Sequence, residues 1–146
     1  MTFGDILQDT HALEDKFFVN SLPDQFPRIH TRRLLSLNVI KYYAELAGDV
    51  LFPDGYRLNV YERLSWDAGP LTIEGYSYEV WRSSEELHWY NSQPHPNDPA
   101  LAGTDPHHKH IPPDIKHHRV PAPGLNFAEA NLPFLIREME SAFFKN

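Results

Sequence analysis

Six of the chain's nine histidines fall between His95 and His118. Imidazole is the side chain whose ordinary pKa lies nearest neutrality, so a cluster of it points to proton transfer, metal binding or phosphate binding. The densest part reads Pro106-His107-His108-Lys109-His110, with His95 upstream and Lys116, His117, His118 and Arg119 downstream. In extended backbone, alternate side chains share a side. His108 and His110 then face one way, and His107 and Lys109 the other. One pair rather than all four is expected to meet a substrate, and His108 with His110 are the first choice. The candidate catalytic set is His107, His108, Lys109, His110 and His95. The same rings, as neutral imidazoles, would suit zinc or nickel, with His95, His108 and His110 as the metal set and His117 in reserve. The chain has no cysteine and no helical His-x-x-x-His pair. No cofactor is therefore expected, with a divalent ion such as zinc as the alternative.

A scaffold must hold these residues. Pro96, Pro99, Pro106, Pro112 and Pro113 interrupt the stretch. Proline fixes φ and removes a backbone donor, which argues against a regular helix or a central strand. The reading is a stiffened His/Pro-rich loop over 94–124, presented by a more regular scaffold. Upstream, Ile6, Leu7, Ala12, Leu13, Phe17 and Phe18 have helical spacing, which predicts an N-terminal helix and linker over 1–27. Residues 32–93 alternate as a β-meander. The clearest strand runs Arg57–Trp66, with Leu58, Val60 and Leu64 on one side and Glu62 breaking that apolar stripe. Pro53-Asp54-Gly55 is a turn, and Gly55 is suited to positive φ. Residues 125–146 read as a C-terminal helix whose face is Leu132, Leu135, Ile136, Met139 and Phe143, with Asn131 as cap. The expected architecture is one α+β domain over 1–146: an antiparallel meander of four to five strands packed against an N-terminal and a C-terminal helix. Tyr61, Tyr76, Tyr78 and Trp89 are candidates for an uncovered sheet face. Trp66, Trp81, Phe127, Phe134 and Phe143 are read as core. His11, His30 and His88 carry no supporting pattern.

Composition narrows the classes. The chain has 146 residues, 41% of them hydrophobic and 13% aromatic, enough for one core and too many for disorder. No apolar run approaches a membrane span and no secretory signal is visible. With no cysteine, a cytoplasmic location is expected. The net charge of −7 disfavours non-specific nucleic-acid binding. The 95–119 segment is locally neutral, with Lys109, Lys116 and Arg119 against Asp98, Asp105 and Asp114. It turns positive when its histidines protonate.

The order Pro53-Asp54-Gly55-Tyr56-Arg57-Leu58-Asn59-Val60-Tyr61-Glu62, Tyr76-Ser77-Tyr78-Glu79, Tyr90-Asn91-Ser92-Gln93-Pro94-His95 and Pro106-His107-His108-Lys109-His110 resembles the TumE-like toxins over roughly residues 40–140. The Pro-His-His-Lys-His element is the most specific part. Many members of that family carry a histidine where this chain has Glu79, and many carry an arginine and an aspartate where it has Trp89 and Asn91. The resemblance implies a toxin of a toxin–antitoxin pair, with RNA as substrate and a cognate antitoxin as partner. A homodimer is left open, and no membrane partner is expected. RNA cleavage without a metal needs a base for the 2′-hydroxyl, an acid for the leaving oxygen and a cation for the phosphorane. Two of the histidines would supply the first two, and Lys109 or Arg119 the third. Tyr78 or Trp89 would stack a base, with Asn91 and Arg119 completing the substrate-binding set. The alternative is a non-enzymatic RNA- or protein-binding module, or a His-rich metal-binding protein.

Overall fold

The computed structural model describes residues 36–67, 69–93, 97, 99–100 and 106–144. The N-terminal helix expected over 5–18 lies outside the described residues. Seven strands form one antiparallel sheet in chain order: β1 (Ser36–Ile40), β2 (Tyr43–Leu51), β3 (Tyr56–Ser65), β4 (Thr72–Arg82), β5 (Glu85–Asn91), β6 (His108–His110) and β7 (Arg119–Pro121). One helix, α1 (Leu132–Phe143), follows. The described residues are thus mostly β, seven antiparallel strands and one C-terminal helix, which corrects the expected α+β architecture of four to five strands packed against an N-terminal and a C-terminal helix. The extra strands come from the span read as a loop. Pro106, Pro112 and Pro113 flank β6 without entering it, so its three residues keep their donors. Pro121 falls at the end of edge strand β7, where proline is tolerated.

Short connections enforce the meander. Lys41 and Ser83 take positive φ in the β1–β2 and β4–β5 turns. Between β2 and β3, Pro53–Gly55 forms one 3-10 turn in which Asp54 and Gly55 have φ of 61° and 82°. Ser83 N–H donates to Gly55 O at 2.9 Å, tying this turn to the next hairpin.

The alternation of β3 sorts the faces. Leu58, Val60 and Leu64 join Leu46, Val50, Ile73 and Val80 in the core, closed by Leu132, Leu135, Ile136 and Met139 of α1. Gly124 allows the helix to approach, because a Cβ there would meet the Phe134 ring at 2.2 Å. Asn131 precedes α1, but its side chain does not cap it. It donates instead to Tyr78 Oη at 3.1 Å and to Asn126 O at 3.0 Å. Trp81 departs from the core reading: its ring lies under the Arg57 guanidinium at 5.4 Å on the opposite face, beside Glu79. Among the described residues, no helix is long and apolar enough to cross a membrane.

Candidate active site on the sixth strand

Strand β6 divides its motif between the two faces of the sheet. Trp89 pairs with His110, Tyr90 with Lys109, and Asn91 with His108. Cross-strand partners share a face. His108 and His110 therefore lie with Trp89 and Asn91, away from α1. Lys109 lies with Tyr90, under α1, and His107 points to the same side.

On the first face the two imidazoles meet edge to face, with centroids 5.0 Å apart and planes at 68°. They are 1% and 6% exposed. His108 Nδ1 lies 3.1 Å from Pro106 O. A carbonyl only accepts, so Nδ1 carries the hydrogen and Nε2 is the basic nitrogen of the neutral ring. His110 stacks on Trp89 at 4.4 Å and 20°. The indole is fixed by its own N–H, which donates to Ser77 Oγ at 2.9 Å. Arg119 pairs with His110 across β7, and Glu79 pairs with Trp89 across β4. A row of side chains thus runs Glu79, Trp89, His110, Arg119. Beside Trp89 is a cavity of about 360 Å³, lined among the described residues by Glu79, Glu86, Trp89, Ile115 and Lys116. Burial and the neighbouring Glu79 charge push the Glu86 carboxyl up. Asn91 turns its Oδ1 to Gln93 N–H at 2.7 Å, so that oxygen holds the end of β5.

The helix face is a different environment. Lys109 Nζ donates to Glu138 Oε1 at 3.2 Å and sits 5.2 Å from the Tyr90 ring centroid. The Tyr90 hydroxyl donates to the same oxygen. Burial lowers the Lys109 ammonium and raises the Glu138 carboxyl. His107 stacks parallel to Tyr76, with planes at 3°, and its Nδ1 lies 2.6 Å from Tyr76 Oη. Burial favours the neutral imidazole and the protonated phenol, so Tyr76 donates. His88, which carried no supporting pattern in the sequence, is driven down to about 4 by burial and by the Lys109 charge, and packs on Phe143.

Beneath this lies a polar group that sequence reasoning marked only as an interruption. Glu62 is 0% exposed, and the Tyr78 hydroxyl donates to its Oε2. Burial pushes its carboxyl up to about 7. Its Oε1 has no hydrogen-bond partner among the described residues. Tyr78 is itself 0% exposed, which corrects the reading of it as a residue of the uncovered sheet face. Tyr76, 4% exposed, is likewise core, and Tyr61, at 38%, remains on the outer face. The missed signal was the carboxylate inside the apolar stripe of β3.

Of the remaining candidates, His95 lies outside the described residues, and with it one of the three expected metal ligands. Among the described residues, no three His, Asp or Glu side chains gather as a metal site. His117 and His118 are exposed. His117 pairs with Asp114 at 2.9 Å, holding that carboxyl below the usual range.

The fold and site define a small β-sheet protein with an imidazole pair on one face and a lysine latched to a helix on the other. Residues 25–143 match the family described as Toxin TumE, and the chain belongs to that family. It is therefore a toxin of the toxin–antitoxin class, for which membership implies a cognate antitoxin. No curated protein and no solved structure matches the chain.

Proposed function

We propose that this toxin is an RNA endonuclease working by general acid–base chemistry at His108 and His110. One imidazole takes the proton of a 2′-hydroxyl, and that oxygen attacks the adjacent phosphorus. The other imidazole protonates the departing 5′-oxygen, leaving a 2′,3′-cyclic phosphate and a 5′-hydroxyl. Arg119, in register with His110, supplies the cation for the phosphorane oxygens. The position of Lys109 under α1, on Glu138, supports giving that role to Arg119 instead. Trp89 offers a base a stacking surface.

The observation that carries this reading is the edge-to-face pair at 5.0 Å, with the His108 tautomer set by Pro106 O. The pair is almost covered in the free chain. Substrate binding must therefore uncover it. A covered site has a low local dielectric, which strengthens each hydrogen bond made there. The test is incubation of purified protein with RNA, with and without a chelator, beside His108→Ala and His110→Ala variants. Chelator-resistant cleavage that disappears in the variants, at an unchanged circular-dichroism spectrum, is the expected result. Cleavage persisting in the double variant overturns the assignment, and cleavage restored only by zinc replaces it with a metal site.

The low exposure of both rings favours a second reading, in which they stabilise the sheet and the toxin binds RNA or protein without cutting. Growth inhibition by wild-type protein that leaves RNA intact would select that reading.

A further inference from the structure

We infer that the cavity beside Trp89 is a nucleobase subsite selective for guanine. This rests on the RNA-directed reading above and adds the identity of the base. The cavity, of about 360 Å³, lies between Glu79 on β4, Glu86 and Trp89 on β5, and Ile115 and Lys116 in the β6–β7 connection. Its aromatic wall is stiff. The indole is held at its nitrogen by Ser77 and against its ring by His110. A platform ordered before binding loses little freedom when a base stacks on it.

The two sides of Trp89 have opposite character. Towards β4 stands Glu79, with Glu86 further along β5 itself; towards β7 stand His110 and Arg119. A carboxylate repels phosphate and accepts N–H, whereas an imidazole or guanidinium does the reverse. A nucleotide is polarised in the same sense, so its base belongs in the cavity and its phosphate on the imidazole side. From β4 to β6 is two strand spacings, roughly 10 Å, the scale of one nucleotide.

The base is selected by its donors. Guanine alone among the RNA bases presents two adjacent donors, N1–H and N2–H, which match the two oxygens of one carboxylate. Adenine and cytosine place a ring-nitrogen acceptor beside the amino group, and uracil flanks its single N–H with carbonyls. Glu79 is the better-oriented acceptor, because Trp81 Nε1 donates to its Oε2 at 3.3 Å. Each carboxylate oxygen retains a second lone pair. Lys116, on the cavity wall, is a donor for O6, the guanine acceptor that lysine commonly reads.

The test is calorimetric titration of the full chain with the 5′-monophosphates of guanosine, adenosine, cytidine and uridine. Guanosine monophosphate should bind about tenfold or more tightly than the other three, the discrimination expected of one bidentate pair. Glu79→Gln should abolish the preference, while His108→Ala should keep it, because a ratio between nucleotides is unaffected by shared phosphate contacts. Equal affinities for the four nucleotides in wild-type protein overturn the subsite. So does a preference that survives combined Glu79→Gln and Glu86→Gln. A guanine preference in protein that cuts no RNA would count against the cleavage reading and leave the subsite standing.

Discussion

The two faces of β6 carry the same motif to different ends. Towards α1, His107 and Lys109 are each tied to a partner, Tyr76 and Glu138, that joins strand to strand or strand to helix. On the other face, His108 and His110 lie against each other, in line with Trp89 and Arg119. One residue of offset separates side chains tied under the helix from an imidazole pair on the opposite face. A run of histidines and a lysine is therefore not a single site merely because it is contiguous. The period of the strand divides it.

Variants that strike one face at a time would break or sharpen this contrast. The largest effect is expected at the imidazole pair. His108→Ala should lower RNA cleavage about 10²–10⁴-fold, the usual contribution of a positioned acid or base. His107→Phe should leave the rate per folded molecule near wild type. A gel-based rate for both variants decides it, and equal losses would erase the distinction between the faces.

Next comes Glu62 in the core beneath α1. Its folded pKa of about 7 lies above the ordinary value of 4.5. Between those values the native state keeps a proton that the unfolded chain has released, so this group's contribution falls as pH rises. The loss is on the order of 3 kcal/mol and is complete above about pH 7. His88 acts in the opposite sense, since its folded value of about 4 lies below 6.5. The difference between wild type and Glu62→Gln cancels that contribution. Urea unfolding at several pH values should show this difference declining from about pH 4.5 and levelling near pH 7. A flat difference would mean that the carboxyl titrates normally.

Smaller still is the latch. Lys109→Met should cost about 1–2 kcal/mol of stability, discounted because the pair is partly exposed, and should spare the cleavage rate. Arg119→Gln should do the reverse. A rate that collapses in Lys109→Met at unchanged stability would return Lys109 to the phosphate. Smallest is the stability change in His107→Phe, about 1 kcal/mol, from a Tyr76 hydroxyl that keeps its stacking partner and loses its acceptor.

Much of this was legible without coordinates, for physical reasons. The alternation in 57–66 and the Pro53-Asp54-Gly55 turn announced a meander, and Leu132, Leu135, Ile136 and Met139 announced α1. The same period of two separated His108 and His110 from His107 and Lys109. Strands β6 and β7 were hidden because three residues between prolines show no period. The sides of Tyr76 and Tyr78 were hidden because both faces of β4 carry polar and aromatic residues, so register alone decides. The Glu138 and Asn131 contacts were hidden because they join residues 29 and 53 positions apart.

Strand order that repeats chain order also sets an order of assembly. Each new strand docks only on its predecessor, a pattern of local contacts that favours quick folding from one edge outward. On the ribosome, the platform of β1 to β5 precedes the imidazoles, and Arg119 and α1 come later still. The strands that flank the imidazoles are thus in place before the helix that latches Lys109 emerges.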